Sequence, residues 1–195
     1  MRTIFLIITL FLLPAINSYG HEPANNEQEI TINEKLGSYV PADIIFSDED
    51  GKPVMMKDLL GKPTVIAPVY LSCTNTCPVL LISLADVIGK VNMQEGKDYI
   101  VLAVSFDEKD TPQLAAQKKQ DYLKAINRPF TGNAWKFLTG SSESIRKFTQ
   151  AVGFQFQPEE AGFSHPVTLI FLAPDGKIVR YLNGATFLPF EFELA

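Results

Sequence analysis

The chain is poor in the residues that usually announce a site. Its 195 residues hold two cysteines, two histidines and one tryptophan. Two cysteines are too few to staple a small disulfide scaffold. No apolar run reaches the ~18 residues that mark a membrane-crossing helix, which excludes a multi-span membrane protein. Positive charge is in deficit: 17 Lys+Arg against 22 Asp+Glu give a net charge of -5. A phosphate footprint needs clustered Lys and Arg, so nucleic acid is not an expected partner. No GxSxG, P-loop or HExxH pattern occurs, and there is no internal repeat. What is there, 46% hydrophobic and 20% charged, is the composition of one globular domain. The lack of a coiled-coil pattern or a long exposed apolar run favours a monomer.

Residues 1–20, MRTIFLIITLFLLPAINSYG, carry Arg2 before an apolar core from Ile4 to Leu13, then Pro14 and the small residues Ser18 and Gly20. This is the pattern of a secretory signal peptide, and the core is short for a spanning anchor. The expected destination is outside the cytoplasm, in a periplasm or on the outer face of the cytoplasmic membrane, where conditions are oxidising. Residues 21–35 are rich in Glu, Asn and Gln and read as a flexible linker, with His21 inside it. Residues 36–195 form the folded domain.

The domain reads as α/β. Asp43–Phe46 and Pro53–Met56 flank an Asp50-Gly51 turn, an N-terminal hairpin. Lys57–Leu60 makes a helical turn ended by Gly61. Thr64–Leu71 and Tyr99–Phe106 are buried strands. Pro68 predicts a bulge or break in the first of them, because proline donates no ladder bond. Between them Pro78 opens a helix over Val79–Lys90. Helices follow from Thr111-Pro112 to about Ile126 and from Ser141 or Ser142 to Gly153, around a short strand at Ala134–Leu138. Val167–Leu172 and Lys177–Leu182 close the domain as a hairpin through Pro174-Asp175-Gly176. The chain ends inside what reads as the first turn of another helix at Pro189. A βαβ start and an antiparallel finish imply a mixed central sheet flanked by helices.

Cys73 and Cys77 lie where the first buried strand gives way to a helix, which is where open α/β sheets place ligands. Spacing i, i+4 puts both thiols on one side of a helical turn. A helix N-terminus favours thiolate, and thiolates serve either disulfide exchange or soft-metal binding. His165, in GFSHPVTLIFL, precedes the strand expected beside that turn, and is a candidate metal ligand or acid/base partner. Asp107 reads as a solvated cap before the Pro112 helix. Of Met55 and Met56 one is expected in the core, and Trp135 and Phe137 are packing residues.

The stretches VYLSCTNTCPVLLISLADV, VSFDEKDTP, FLTGSSESI, FSHP and APDGKIVRYLNGATFLP resemble the Sco/SenC family across residues 36–195. That resemblance implies a thioredoxin-like fold and copper delivery during cytochrome c oxidase assembly. It implies copper, as Cu(I) or Cu(II), held by Cys73, Cys77 and His165, and oxidase subunit II or a similar copper-accepting protein as partner. Pro166 departs from the family's usual pattern after the histidine, and takes the place at which thioredoxins carry a cis proline. Two functions compete. One is an exported copper metallochaperone. The other is a thiol-disulfide oxidoreductase using Cys73 and Cys77 as a redox-active pair, with a thiol reductase as a possible partner. A peroxide-reducing relative lacks the Pro-x-x-x-Thr-x-x-Cys context around Ser72-Cys73.

Overall fold

Alternation along three apolar strands sets the architecture. The computed structural model describes residues 30–193; the expected leader and most of the expected linker, His21 included, lie outside them. Strands β3 (Thr64–Val69), β4 (Ile100–Ser105) and β5 (Trp135–Leu138) are parallel; β8 (Thr168–Leu172) pairs antiparallel with β3, and β9 (Ile178–Asn183) antiparallel with β8. The order across the sheet is β5-β4-β3-β8-β9. Every residue of β3 and β8 is buried, as befits strands covered on both faces.

The two faces separate by the period of two. Val65, Ala67, Val101, Ala103 and Phe171 point into one core with Leu84 of helix α1 (Thr76–Lys90). Helix α2 (Pro112–Ala125) and the short α4 (Pro189–Glu193) complete that side. Ile66, Leu102, Val104 and Ile170 point into the other, with Phe148 of helix α3 (Ser142–Ala151) and Phe46 of the N-terminal hairpin. That hairpin, β1 (Ile45–Ser47) and β2 (Pro53–Met55), is locked to the sheet end by paired bonds between Ser47 and Thr139 of 2.7 and 2.9 Å. Glu49 in its turn pairs with Lys119 and accepts from the Phe137 amide at 3.1 Å. Both caps expected from sequence are formed: Thr111 and Ser141 each accept, at 3.2 Å, from the backbone N–H three residues on.

Of the bulge or break expected at Pro68, the break is what occurs, and on the β8 side only; towards β4 Pro68 stays in register opposite Val104. The Val69 carbonyl accepts from Phe106 N–H, so the alternate residue Pro68 turns its imide nitrogen towards β8. Pairing with β8 has already stopped at Ile66, so no ladder bond is lost there. The register irregularity falls instead at Phe171/Leu172. Helix α1 begins at Thr76, before Pro78, and so takes in Cys77. Pro78 is still in the first turn, where N–H groups have no intrahelical partner. The His165–Pro166 bond is not cis; the described residues contain no cis peptide.

The sequence pattern missed a second hairpin, β6 (Gln157–Glu159) and β7 (Gly162–Ser164), which projects before β8. Ordered contacts also begin inside the stretch read as linker: Asn33 N–H donates to the Gly153 carbonyl at 2.9 Å. Gly153 ends α3 with φ +66, and a Cβ there would lie 1.8 Å from the Asn33 oxygen. Among the described residues no helix is long and apolar enough to cross a membrane.

Candidate metal centre

The two cysteines are placed by the exit of β3 and the start of α1. Cys73 lies in the turn before the helix and Cys77 in its first turn; both thiols are free and buried. Helix α1 has no side-chain oxygen cap at Asn75. The backbone N–H groups of Asn75 and Cys77 at this helix start favour the thiolate form of Cys73. Burial opposes ionisation of Cys73, but the Tyr70 hydroxyl and then these backbone N–H groups outweigh it and hold the thiol below its ordinary pKa. Cys77 behaves oppositely. Burial pushes its thiol up, and charge on Cys73 and Asp110 adds to the rise.

His165 follows β7 directly, so the unforeseen hairpin delivers the imidazole to the cysteines. Its Nε2 is 3.7 Å from Cys77 Sγ. Its Nδ1 is 2.9 Å from the Pro166 carbonyl. A carbonyl only accepts, so Nδ1 carries the proton and the Nε2 lone pair faces the sulfur. Burial lowers the imidazole pKa, partly offset by that carbonyl. Aromatic rings enclose it: Phe106 at 5.0 Å, Tyr70 at 5.7 Å and Phe154 at 6.1 Å between centroids. A neutral, shielded imidazole beside a thiol is a soft-metal donor set. A trigonal ion about 2.3 Å from sulfur and about 2.0 Å from nitrogen separates those two ligands by ~3.7 Å. Among the described residues no three His, Cys, Asp or Glu side chains already stand as a metal-holding cluster. One edge of a three-ligand site is therefore in place, and Cys73 has to move to close it.

Beneath the cysteine loop is a carboxylate. Asp110 Oδ2 accepts from Leu71 N–H and from Ser105 Oγ–H, both at 2.6 Å, where β3 has lost its ladder partner. Burial raises the Asp110 pKa against those bonds. Asp107, expected as a solvated cap, is instead buried and accepts from Lys109 N–H at 2.9 Å. Met56, Trp135 and Phe137 are in the core, as expected. Tyr70, Asp110 and the phenylalanines around His165 were missed as site residues. The signal was present in Phe154-x-Phe156 and Phe163-x-His165, the alternation of a one-faced hairpin.

Fold and site define a class: a thioredoxin-like domain with a Cys-x-x-x-Cys pair at a helix start and a histidine delivered against it. The SCO1/SenC family model matches residues 36–189. The chain belongs to the SCO1/SenC family. It is 29% identical over 154 residues to the SCO1 protein homolog of Bacillus subtilis, covering 75% of each chain. It is 29% identical over 139 residues to the mitochondrial protein SCO1 homolog 1 of Arabidopsis thaliana, covering 68% of this chain. It spans only 39% of that protein's length. The crystal structure of Arabidopsis ScoI with copper bound superposes with a TM-score of 0.60 at 26% identity, covering 74% of this chain and 87% of that one.

Proposed function

We propose that this protein is an exported copper-binding metallochaperone that serves the assembly of the binuclear copper site of cytochrome c oxidase. Copper is its cargo, held by Cys73, Cys77 and His165. The observation that carries this reading is the 3.7 Å approach of a deprotonated His165 Nε2 to Cys77 Sγ. Membership of the SCO1/SenC family supports it, as does copper in the Arabidopsis ScoI structure. Two thiolates and an imidazole suit Cu(I), and a further ligand completes Cu(II). The net charge of -5 favours a basic docking patch on the acceptor, oxidase subunit II or a similar copper-accepting protein. Export rests on the leader pattern of residues 1–20. The test is an anaerobic Cu(I) titration of the reduced protein against a competing chelator. The expected result is one tightly bound copper, weakened in Cys73→Ser, Cys77→Ser and His165→Ala alike. Copper affinity indifferent to His165 would sink the ligand assignment.

A second reading, thiol-disulfide exchange on an exported protein's cysteines, is favoured by two free, buried thiols four residues apart at the start of α1. One thiolate would attack a target disulfide and the other would resolve the mixed disulfide, releasing reduced target and an oxidised Cys73–Cys77 pair. Reduction of a model disulfide without competitive copper binding would select this reading.

A further inference from the structure

The chain enters the described fold beside the hairpin that carries His165. Asn33 N–H donates to the Gly153 carbonyl at 2.9 Å. Three residues earlier, Ile30 lines a cleft with Phe154, Gln155, Phe156 and Gln157. Traced backwards from Asn33 to Ile30, the chain therefore advances along residues 153–157 towards β6. This cleft has a volume of about 500 Å³, with Thr149, Gln150 and Arg146 of α3 in its wall. Arg146 is its one charged lining residue among the described residues, and takes part in no ion pair with any of them.

A second cleft, of about 430 Å³, continues the first, since Arg146, Thr149 and Phe156 line both. Apolar side chains dominate here: Ile145, Phe106, Phe163 and Pro158. Lys109, Glu108 and the buried Asp107 complete it, and Asp107 already accepts from Lys109 N–H at 2.9 Å. The two clefts make one trough between α3 and the β6–β7 hairpin, polar where Ile30 enters and apolar at the far end.

The residues before Ile30 follow the same order. Going away from it, the acids and amides Glu29, Gln28, Glu27, Asn26 and Asn25 come first, then Ala24 and Pro23. Residues 21–29 hold three glutamates and no Lys or Arg, opposite in sign to Arg146. Two clefts of these volumes extend roughly 16 Å end to end, and the seven residues Pro23–Glu29 reach about 23 Å when extended, so the segment spans the trough with slack.

We propose that residues 22–29 lie back in this trough, with Glu27 and Glu29 against Arg146 and Pro23-Ala24 against Phe156 and Phe163, and strap the β6–β7 hairpin to α3. A proline-containing extended segment suits an aromatic-lined groove, because it has little order left to lose. Its attachment at Ile30 makes docking intramolecular, and the millimolar local concentration of a short tether lets weak contacts suffice. The hairpin needs such support. Its strands are three residues long and pair only with each other, and an isolated two-stranded hairpin is marginal in water. Because β7 runs directly into His165, the strap steadies the imidazole without touching it.

The test is amide exchange of residues 157–164 in the purified metal-free protein, which makes it independent of any copper binding. The parent is compared with Glu27→Lys/Glu29→Lys, with Arg146→Glu and with all three changes combined. Each reversal alone should speed exchange about two- to fivefold, the range of a partly exposed ion pair. The combination should return to the parent rate, which loss of a merely structural arginine would not allow. Nuclear Overhauser contacts from the Ala24 methyl to Phe156 or Phe163 ring protons should be present in the parent and weaken in either reversal. Hairpin exchange indifferent to Glu27→Lys/Glu29→Lys, a combined variant no better than Arg146→Glu, or a parent without the Ala24 contacts would overturn the strap. Hairpin protection that rises with protein concentration would give the trough to a second copy of the chain and overturn it equally.

Discussion

Replacing Asp110 by alanine should destabilise the fold by about 3 kcal/mol and weaken copper binding with it. Two bonds end on one oxygen, Oδ2: Leu71 N–H and Ser105 Oγ–H, each at 2.6 Å. Leu71 and Ser105 are 3% and 0% exposed, so water cannot take the carboxylate's place. A stranded Leu71 N–H, fixed by the backbone, costs about 1–3 kcal/mol. The Ser105 hydroxyl fares better, since it already lies 3.4 Å from the Asp107 carbonyl, and loses about 1 kcal/mol. Losing a carboxylate that burial disfavours returns part of this at neutral pH. Asp110→Asn is the control, because its single carbonyl oxygen can accept both bonds. The sign with pH follows from the raised Asp110 pKa. The folded state holds this proton more tightly than the unfolded chain, so the parent gains stability as pH falls through the raised value. The deficit of alanine should therefore widen in acid, while asparagine should match the parent in acid and equal or exceed it at neutral pH. Trp135, the one tryptophan and fully buried, reports urea unfolding directly. A 3 kcal/mol loss corresponds to roughly 6–12 °C in Tm for a domain of this size, with the m-value unchanged. Alanine within about 0.5 kcal/mol of the parent, or asparagine as damaging as alanine, would refute the assignment of Asp110 as the clamp of the cysteine loop.

Three further outcomes are expected. His165→Ala should lower Cu(I) affinity beyond the about 10–100-fold that supporting residues cost, leaving dithiol cycling of Cys73 and Cys77 intact; a chelator competition and a thiol count after oxidation check both halves. Because burial depresses the His165 pKa, the unfolded chain takes that proton first as pH falls below about 6.5. The stability held above that pH should decline towards pH 5, and His165→Gln should flatten this decline in parallel urea titrations; identical slopes would rule the histidine out as its source. Gly153→Ala forces φ +66 on a residue with a Cβ and drives that atom to 1.8 Å from the Asn33 oxygen. It should cost about 3 kcal/mol or more by urea unfolding, and a loss under about 1 kcal/mol would show that the 30–35 segment yields freely.

Local chemistry set what the sequence alone determined. Apolar runs at Thr64–Val69, Ile100–Ser105 and Thr168–Leu172 had one stable disposition, as strands covered on both faces, and the Thr111 and Ser141 caps fixed where two helices begin. The cysteine pair at a strand-to-helix junction and the histidine before a later strand were legible for the same reason: their placement depends on neighbours in the chain. Tertiary structure decided the rest. Pro68 escapes a bulge only because β8 stops at Ile66, a fact about a strand a hundred residues away. Asp110 acts as a clamp and Asp107 does not, because the packing of the loop after β4 turns one carboxylate under Leu71. The β6–β7 hairpin has strands of three residues, the first exposed and the second half-buried, so the alternation of Phe154-x-Phe156 and Phe163-x-His165 was its one local signal. Yet it sets His165 3.7 Å from Cys77 and seats Gly162 against Tyr70. Side-chain period and capping act over a few residues and can be read along a chain. The meeting of a loop at residue 70 with a hairpin at residue 162 is decided by the core between them.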